Sequence, residues 1–197
     1  MSHTAATADG AWTARLVPAR QRLLWSLILA PLAVYIGLVL WFAVDIPLED
    51  DYDSVLDFLH HVATADSFPW THLLAQHNEH RIVWTRFSAL ATYRVFGEVD
   101  FRVLIYLGNL PLPLLTWIFA RGFVRRDLPP AALVPIPYLL LQPQSWENMT
   151  WAMAALQNFY VVLFAALALI AWQRGTLTSR SLALALALLA TFTSGNG

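Results

Sequence analysis

Residues Leu23 to Val44 form a run of twenty-two residues without one charged side chain. At about 1.5 Å of rise per residue a helix of that length reaches roughly 33 Å, enough to cross a hydrocarbon layer about 30 Å thick. Backbone groups in lipid must satisfy one another, so such a run can cross only as a helix. A signal peptide also places basic residues ahead of an apolar run, but this run exceeds a signal core in length and no small-x-small cleavage site follows it. Further apolar blocks come after it. The pattern predicts an all-α fold, a polytopic transmembrane helix bundle of about five spans at residues 23–44, 103–120, 128–141, 151–172 and 181–195. The membrane domain then covers residues 23–197, behind a tail over residues 1–22.

Composition agrees. Hydrophobic residues make up 58% of the chain and charged ones only 13%, about half the charge of a soluble domain. With no Cys, disulfide frameworks, thiolate nucleophiles and iron-sulfur clusters are excluded. Any chemistry must come from carboxylates, imidazoles, hydroxyls or guanidinium groups. The twelve Arg are unclustered and there is no Lys, which argues against nucleic acid as a partner.

Arginine placement sets an orientation. Arg15, Arg20 and Arg22 precede the first block, Arg121, Arg125 and Arg126 close the second, and Arg174 and Arg180 follow the fourth. By the positive-inside rule the N-terminus is cytoplasmic, and residues 45–101 and 142–150 face outside. Pro129, Pro130, Pro135 and Pro137 make the third block a kinked span. The last block stops near Gly197 without a polar tail, so the sequence reads as a truncated fragment rather than a complete five-helix protein.

The outer loop at residues 45–101 carries ten of the thirteen acids and five of the six His. Within it, two amphipathic juxtamembrane helices are expected. Tyr52 to Ala65 sets Val55, Leu56, Phe58, Leu59 and Val62 at helical spacing, with Asp50, Asp51 and Asp53 available as caps. Arg81 to Phe96 repeats the pattern, with Arg86 and Arg94 as charged edges and Gly97 as the cap. Both are expected to lie along the membrane surface. A polar connector, Gln76 to Arg81, leads into the second.

Three places are candidates for chemistry. The run Glu49, Asp50, Asp51 sits at the outer membrane boundary. It is open to two readings, a general base on an acceptor hydroxyl or a set of helix caps. In the connector, His77 and His80 would share a face if helical, and with His72 or Glu79 they offer ligands to a divalent metal. Arg81 beside them would repel a cation and suits a phosphate instead. A solvated turn whose Arg reaches lipid headgroups is the plain alternative. In the second outer loop, Glu147 stands at the mouth of the bundle among Gln144, Trp146, Asn148 and Trp151. Gln157 follows inside the fourth span, facing a cavity or bonding a neighbouring helix. Asp51, Tyr52 and Asp53 also space two carboxylates for a divalent cation, which leaves the cofactor open.

A cytoplasmic N-terminus, one span, an acidic motif at its outer end (Glu49, Asp50, Asp51, Tyr52), two juxtamembrane helices, a return span and a second outer acid (Glu147) together resemble a known family. The arrangement is similar to the N-terminal portion of the GT-C membrane glycosyltransferases, bacterial PMT-like and ArnT-like members included, over most of residues 20–197. The resemblance implies inverting transfer of a sugar from a polyprenyl-phosphate donor to a hydroxyl acceptor, at the outer face of a bacterial inner (plasma) membrane. Its partners would be the lipid-linked donor and membrane lipids. It implies Asp50 as the catalytic acid of the first loop, with Asp51 the alternative in register. Glu49, His77, Glu79, His80, Arg81, Glu147 and Gln157 are left to bind substrate. A transporter or channel subunit and a non-catalytic scaffold compete. The first would place acids inside the spans, where this sequence has none.

Overall fold

The computed structural model describes residues 9–194, with side chains from Ala19 onward. The tail expected over residues 1–22 is therefore described only in part, and the end of the expected last span falls outside the described residues. The chain is mostly helical. The described residues open with α1 (Asp9–Phe42), and a π-helical turn (Tyr52–Leu56) then runs into α2 (Asp57–Thr64) and α3 (Trp70–Leu74). A hairpin of β1 (Gln76–His77) and β2 (His80–Arg81) precedes α4 (Val83–Phe96), α5 (Phe101–Asn109) and α6 (Pro111–Arg125). The remaining helices are α7 (Pro135–Leu140), α8 (Trp146–Thr150), α9 (Ala152–Trp172) and α10 (Leu177–Thr191).

Among the described residues three segments are long and apolar enough to cross a membrane: Ala19–Phe42, Phe101–Arg125 and Ala152–Trp172. The second is α5 and α6 end to end. Pro111 supplies no N–H, and Leu110 bonds the carbonyl of Leu107 at 3.2 Å instead of continuing the helical ladder. The expected span at 128–141 is not one helix. Its prolines divide it into a 3-10 turn (Pro130–Leu133) and the six-residue α7. The last apolar block is the fifteen-residue α10, shorter than a spanning helix and begun by the Thr176 hydroxyl, which accepts the Ser179 N–H.

Helix α9 is the hub, packed on α10, α5, α4, α6 and α8. Its closest approach is to α5 at Gly108, where a Cβ would stand 2.5 Å from the Ala155 Cβ. Nearby, buried Asn109 donates to the carbonyls of Ile105 and Met149, each at 2.8 Å, and accepts the Tyr35 hydroxyl. One amide thus ties α1, α5 and the segment before α9.

Two carboxylates gather the helix ends. Asp45 accepts the Phe101 N–H at 2.8 Å, and Asp51 accepts the Met153 N–H at 3.0 Å. Each supplies an acceptor to a helix N-terminus from a distant part of the chain. The C-terminus of α1 and the N-termini of α5 and α9 therefore meet at one end of the bundle. The end of α10 returns there too, its Phe192 carbonyl accepting the Val83 N–H at 2.9 Å.

Candidate functional site

The segment after α1 turns sharply before the π-helical turn. Glu49 takes a left-handed backbone (φ 40°), and the Asp51 N–H bonds the Leu48 carbonyl at 2.8 Å. The turn sends its three acids in different directions. Glu49 is exposed, the Asp50 side chain keeps 40% of its surface, and Asp51 is fully buried.

Asp51 was expected to cap its own helix or to act as an alternative base. The structure corrects the first expectation: Asp51 makes no side-chain cap bond to the turn that follows it. Its Oδ2 accepts the Leu48 N–H at 3.1 Å and its Oδ1 the Met153 N–H at 3.0 Å, so it caps α9, 102 residues away. The Trp151 indole N–H faces the same carboxylate without a hydrogen bond of regular geometry. Burial pushes the Asp51 carboxyl up to about 6, against the backbone N–H donors, which hold it down.

The connector expected as a solvated turn or a helical face is a hairpin. His77 pairs with His80 across its two strands, and Asn78 takes the left-handed conformation (φ 51°) that Asn tolerates better than most residues. The hairpin leans on the acidic turn. His77 Nε2 lies 3.4 Å from Asp50 Oδ2, and the Asn78 amide reaches the same oxygen at 3.5 Å.

Between the acidic turn, the hairpin and the start of α9 lies a polar pocket of about 360 Å³. Asp50, Asn78, Glu79, His80, Asn148, Trp151, Gln157 and Asn158 supply its polar and aromatic wall. Asn158 donates to Asn148 at 3.0 Å, and buried Gln157 donates to the Ser194 hydroxyl at 3.3 Å. Asp50, Glu79, His80 and Gln157 are thus brought together, with His77 behind Asp50.

Glu49, Arg81 and Glu147 are not among the lining residues. Arg81 is exposed and donates to the Leu74 carbonyl at 3.1 Å, while Glu147 is exposed on α8. Arg86, expected as a charged edge, is buried, its guanidinium on the carbonyls of Leu73 and Ala75. Asn158 was missed as a site residue, and only its place one residue after Gln157 could have signalled it. Among the described residues no three His, Asp or Glu form a group able to hold a metal ion. A larger groove of about 890 Å³ between α9 and α10 has no titratable side chain in its wall. Comparison with protein-family models, with curated proteins and with solved structures finds no match.

Proposed function

We propose that the chain is a membrane glycosyltransferase, or the N-terminal portion of one, that transfers a sugar from a polyprenyl-phosphate donor to a hydroxyl at the outer face of the membrane. The observation that supports this reading is Asp50, a half-exposed carboxylate in the wall of a polar pocket at the end of the bundle where α1 ends and α9 begins. A lipid-linked phosphate sits at that depth, so an acceptor hydroxyl in the pocket meets a base beside the donor. In this reading Asp50 takes the hydroxyl proton as the oxygen attacks the anomeric carbon and the lipid phosphate leaves. His77 holds the carboxylate in place. Arg81, next to His80 and carrying guanidinium donors beyond its single bond to Leu74, is left for the phosphate. The absence of acids from the three membrane-length segments favours this chemistry over ion conduction.

The same reading places the bundle in a bacterial plasma membrane with the N-terminus in the cytoplasm. The broken segment at 128–141 and α10 complete five crossings, and α2 and α4 lie along the outer surface. A cysteine placed at His60 in this Cys-free chain would then be labelled only from outside, and labelling only from the cytoplasm would overturn the orientation. The chemistry is tested with Asp50→Asn in proteoliposomes supplied with a polyprenyl-phosphate sugar. Loss of a general base lowers turnover by about 10²- to 10⁴-fold. Near-normal transfer by a folded Asp50→Asn variant would remove Asp50 from the chemistry.

A further inference from the structure

The wall of the polar pocket is one-sided in charge. It contains two carboxylates, Asp50 and Glu79, and four amides, Asn78, Asn148, Gln157 and Asn158, but neither Arg nor Lys. Of the two guanidinium groups nearest in sequence, buried Arg86 is held on the carbonyls of Leu73 and Ala75, and exposed Arg81, which bonds the Leu74 carbonyl, is not part of the wall. An amide offers a donor and an acceptor side by side, which matches a pair of neighbouring hydroxyls, and a carboxylate only accepts. Trp151 adds an aromatic surface to the wall. A volume of about 360 Å³ lies at the small end of ligand cavities.

We propose that this pocket receives an uncharged or amine-bearing, hydroxyl-rich group of about monosaccharide size, and rejects anionic sugars and phosphate. The inference rests on the reading of the pocket as a glycosyl site and narrows it. The transferred or accepting sugar is neutral or cationic, and the donor phosphate is held outside the pocket. An entering hydroxyl replaces contacts that are already weak or exchangeable, the Asn78–Asp50 contact at 3.5 Å and the Asn158–Asn148 bond at 3.0 Å. A carboxylate on the ligand would meet two wall carboxylates, with only the imidazoles of His80 and His77 to offset them.

The test uses the full chain in nanodiscs at pH 7.5. Saturation-transfer NMR would compare methyl glucoside, glucosamine and glucuronate directly, and inorganic phosphate, which has no carbon-bound proton, by its competition with the glucoside signal. The glucoside and glucosamine should bind, glucuronate at least 10-fold more weakly, and phosphate not measurably. Asn158→Ala should weaken the glucoside several-fold, and Asp50→Asn combined with Glu79→Gln should narrow the glucuronate gap. Glucuronate or phosphate binding as tightly as the glucoside would overturn the proposal, as would glucoside binding unchanged in Asn158→Ala and in the double variant. Two combined outcomes separate this inference from the reaction. Glucoside binding as expected with no sugar transfer by the wild-type chain leaves the polyol pocket standing and removes the transferase. Transfer that depends on Asp50 with glucuronate bound best does the reverse.

Discussion

The first turns of α9 have two faces that solve different problems. Ala152, Ala155, Leu156 and Phe159 are buried and join the core shared with α5, where Gly108 brings the backbones together. Met153, Ala154, Gln157 and Asn158 point to the pocket, opposite Asp50 and the hairpin. On the first face the fit is one of shape, and small side chains make the contact. On the second it is one of hydrogen-bonding groups, Asn158 donating to Asn148 in the pocket wall and Gln157 to Ser194. A substitution on the dry face should therefore damage folding before function, and one on the wet face function before folding.

The sharpest way to break that contrast is Gly108→Val. Even a single Cβ there would sit 2.5 Å from the Ala155 Cβ and 3.0 Å from the Leu156 nitrogen, and backbone cannot swing aside. We expect a loss of about 3 kcal/mol or more, the upper range for overpacking, read as a drop in midpoint during denaturation in detergent. Gly37→Ala and Gly122→Ala, with open space at both positions, serve as controls and should be neutral or mildly stabilising. Unchanged stability in Gly108→Val would mean that the two helices do not pack this closely.

Asp51 stands where the two faces meet, and its effect is one of pH. Burial raises its carboxyl to about 6, above the ordinary carboxylate range. A group whose folded value is raised favours folding at low pH, and that advantage is lost as pH climbs through the folded value. Stability should therefore fall between about pH 4 and pH 6 by up to about 3 kcal/mol from this group. Asp51→Asn, which does not titrate, should flatten that part of the wild-type profile. A slope identical in the two proteins would show that Asp51 is not the group responsible.

How much of this could be read from the sequence depends on distance along the chain. Apolar runs such as 23–44 are legible because lipid demands long uncharged helices, and the C-terminus of α4 is legible because Gly97 takes φ 79° there. Asp50 was marked by its position just beyond a membrane-length block and Gln157 by being a polar residue inside one. The role of Asp51 was not legible, since its partner lies 102 residues away and a carboxylate before a helix looks like that helix's own cap. The hairpin at 76–81 was missed because strands of two residues are too short to show any period. Arg86 read as a surface charge because its acceptors are backbone carbonyls at the end of α3, which carry no sequence signature. The prolines of 128–141 announced a break, but not that only six residues would remain α-helical at its end.

Asn109 tests whether the dry side also depends on hydrogen bonds. Its amide joins Tyr35, Ile105 and Met149, all away from the pocket. Between apolar helices such bonds contribute about 0.6 to 1.7 kcal/mol, so Asn109→Ala should lower thermal stability by roughly that amount and leave sugar binding unchanged. Altered sugar binding with intact stability would place Asn109 with the wet face and blur the division.

The smallest effect on folding is expected at Asn158, and it discriminates most finely. Asn158 is half-buried, and its one hydrogen bond to Asn148, at 3.0 Å, lies in the pocket wall rather than in the core. Removing it in Asn158→Ala leaves the Asn148 carbonyl oxygen beside a cavity, where water can take the vacated place. No buried acceptor is then orphaned, and the change in stability should stay within about 0.5 kcal/mol. Gly108→Val and Asn158→Ala thus act on opposite faces of the same two turns of α9, and denaturation midpoints should separate them by several-fold in free energy. If Asn158→Ala unfolds the protein as readily as Gly108→Val, the pocket is part of the core, and Asn158 is held there by packing rather than for a ligand.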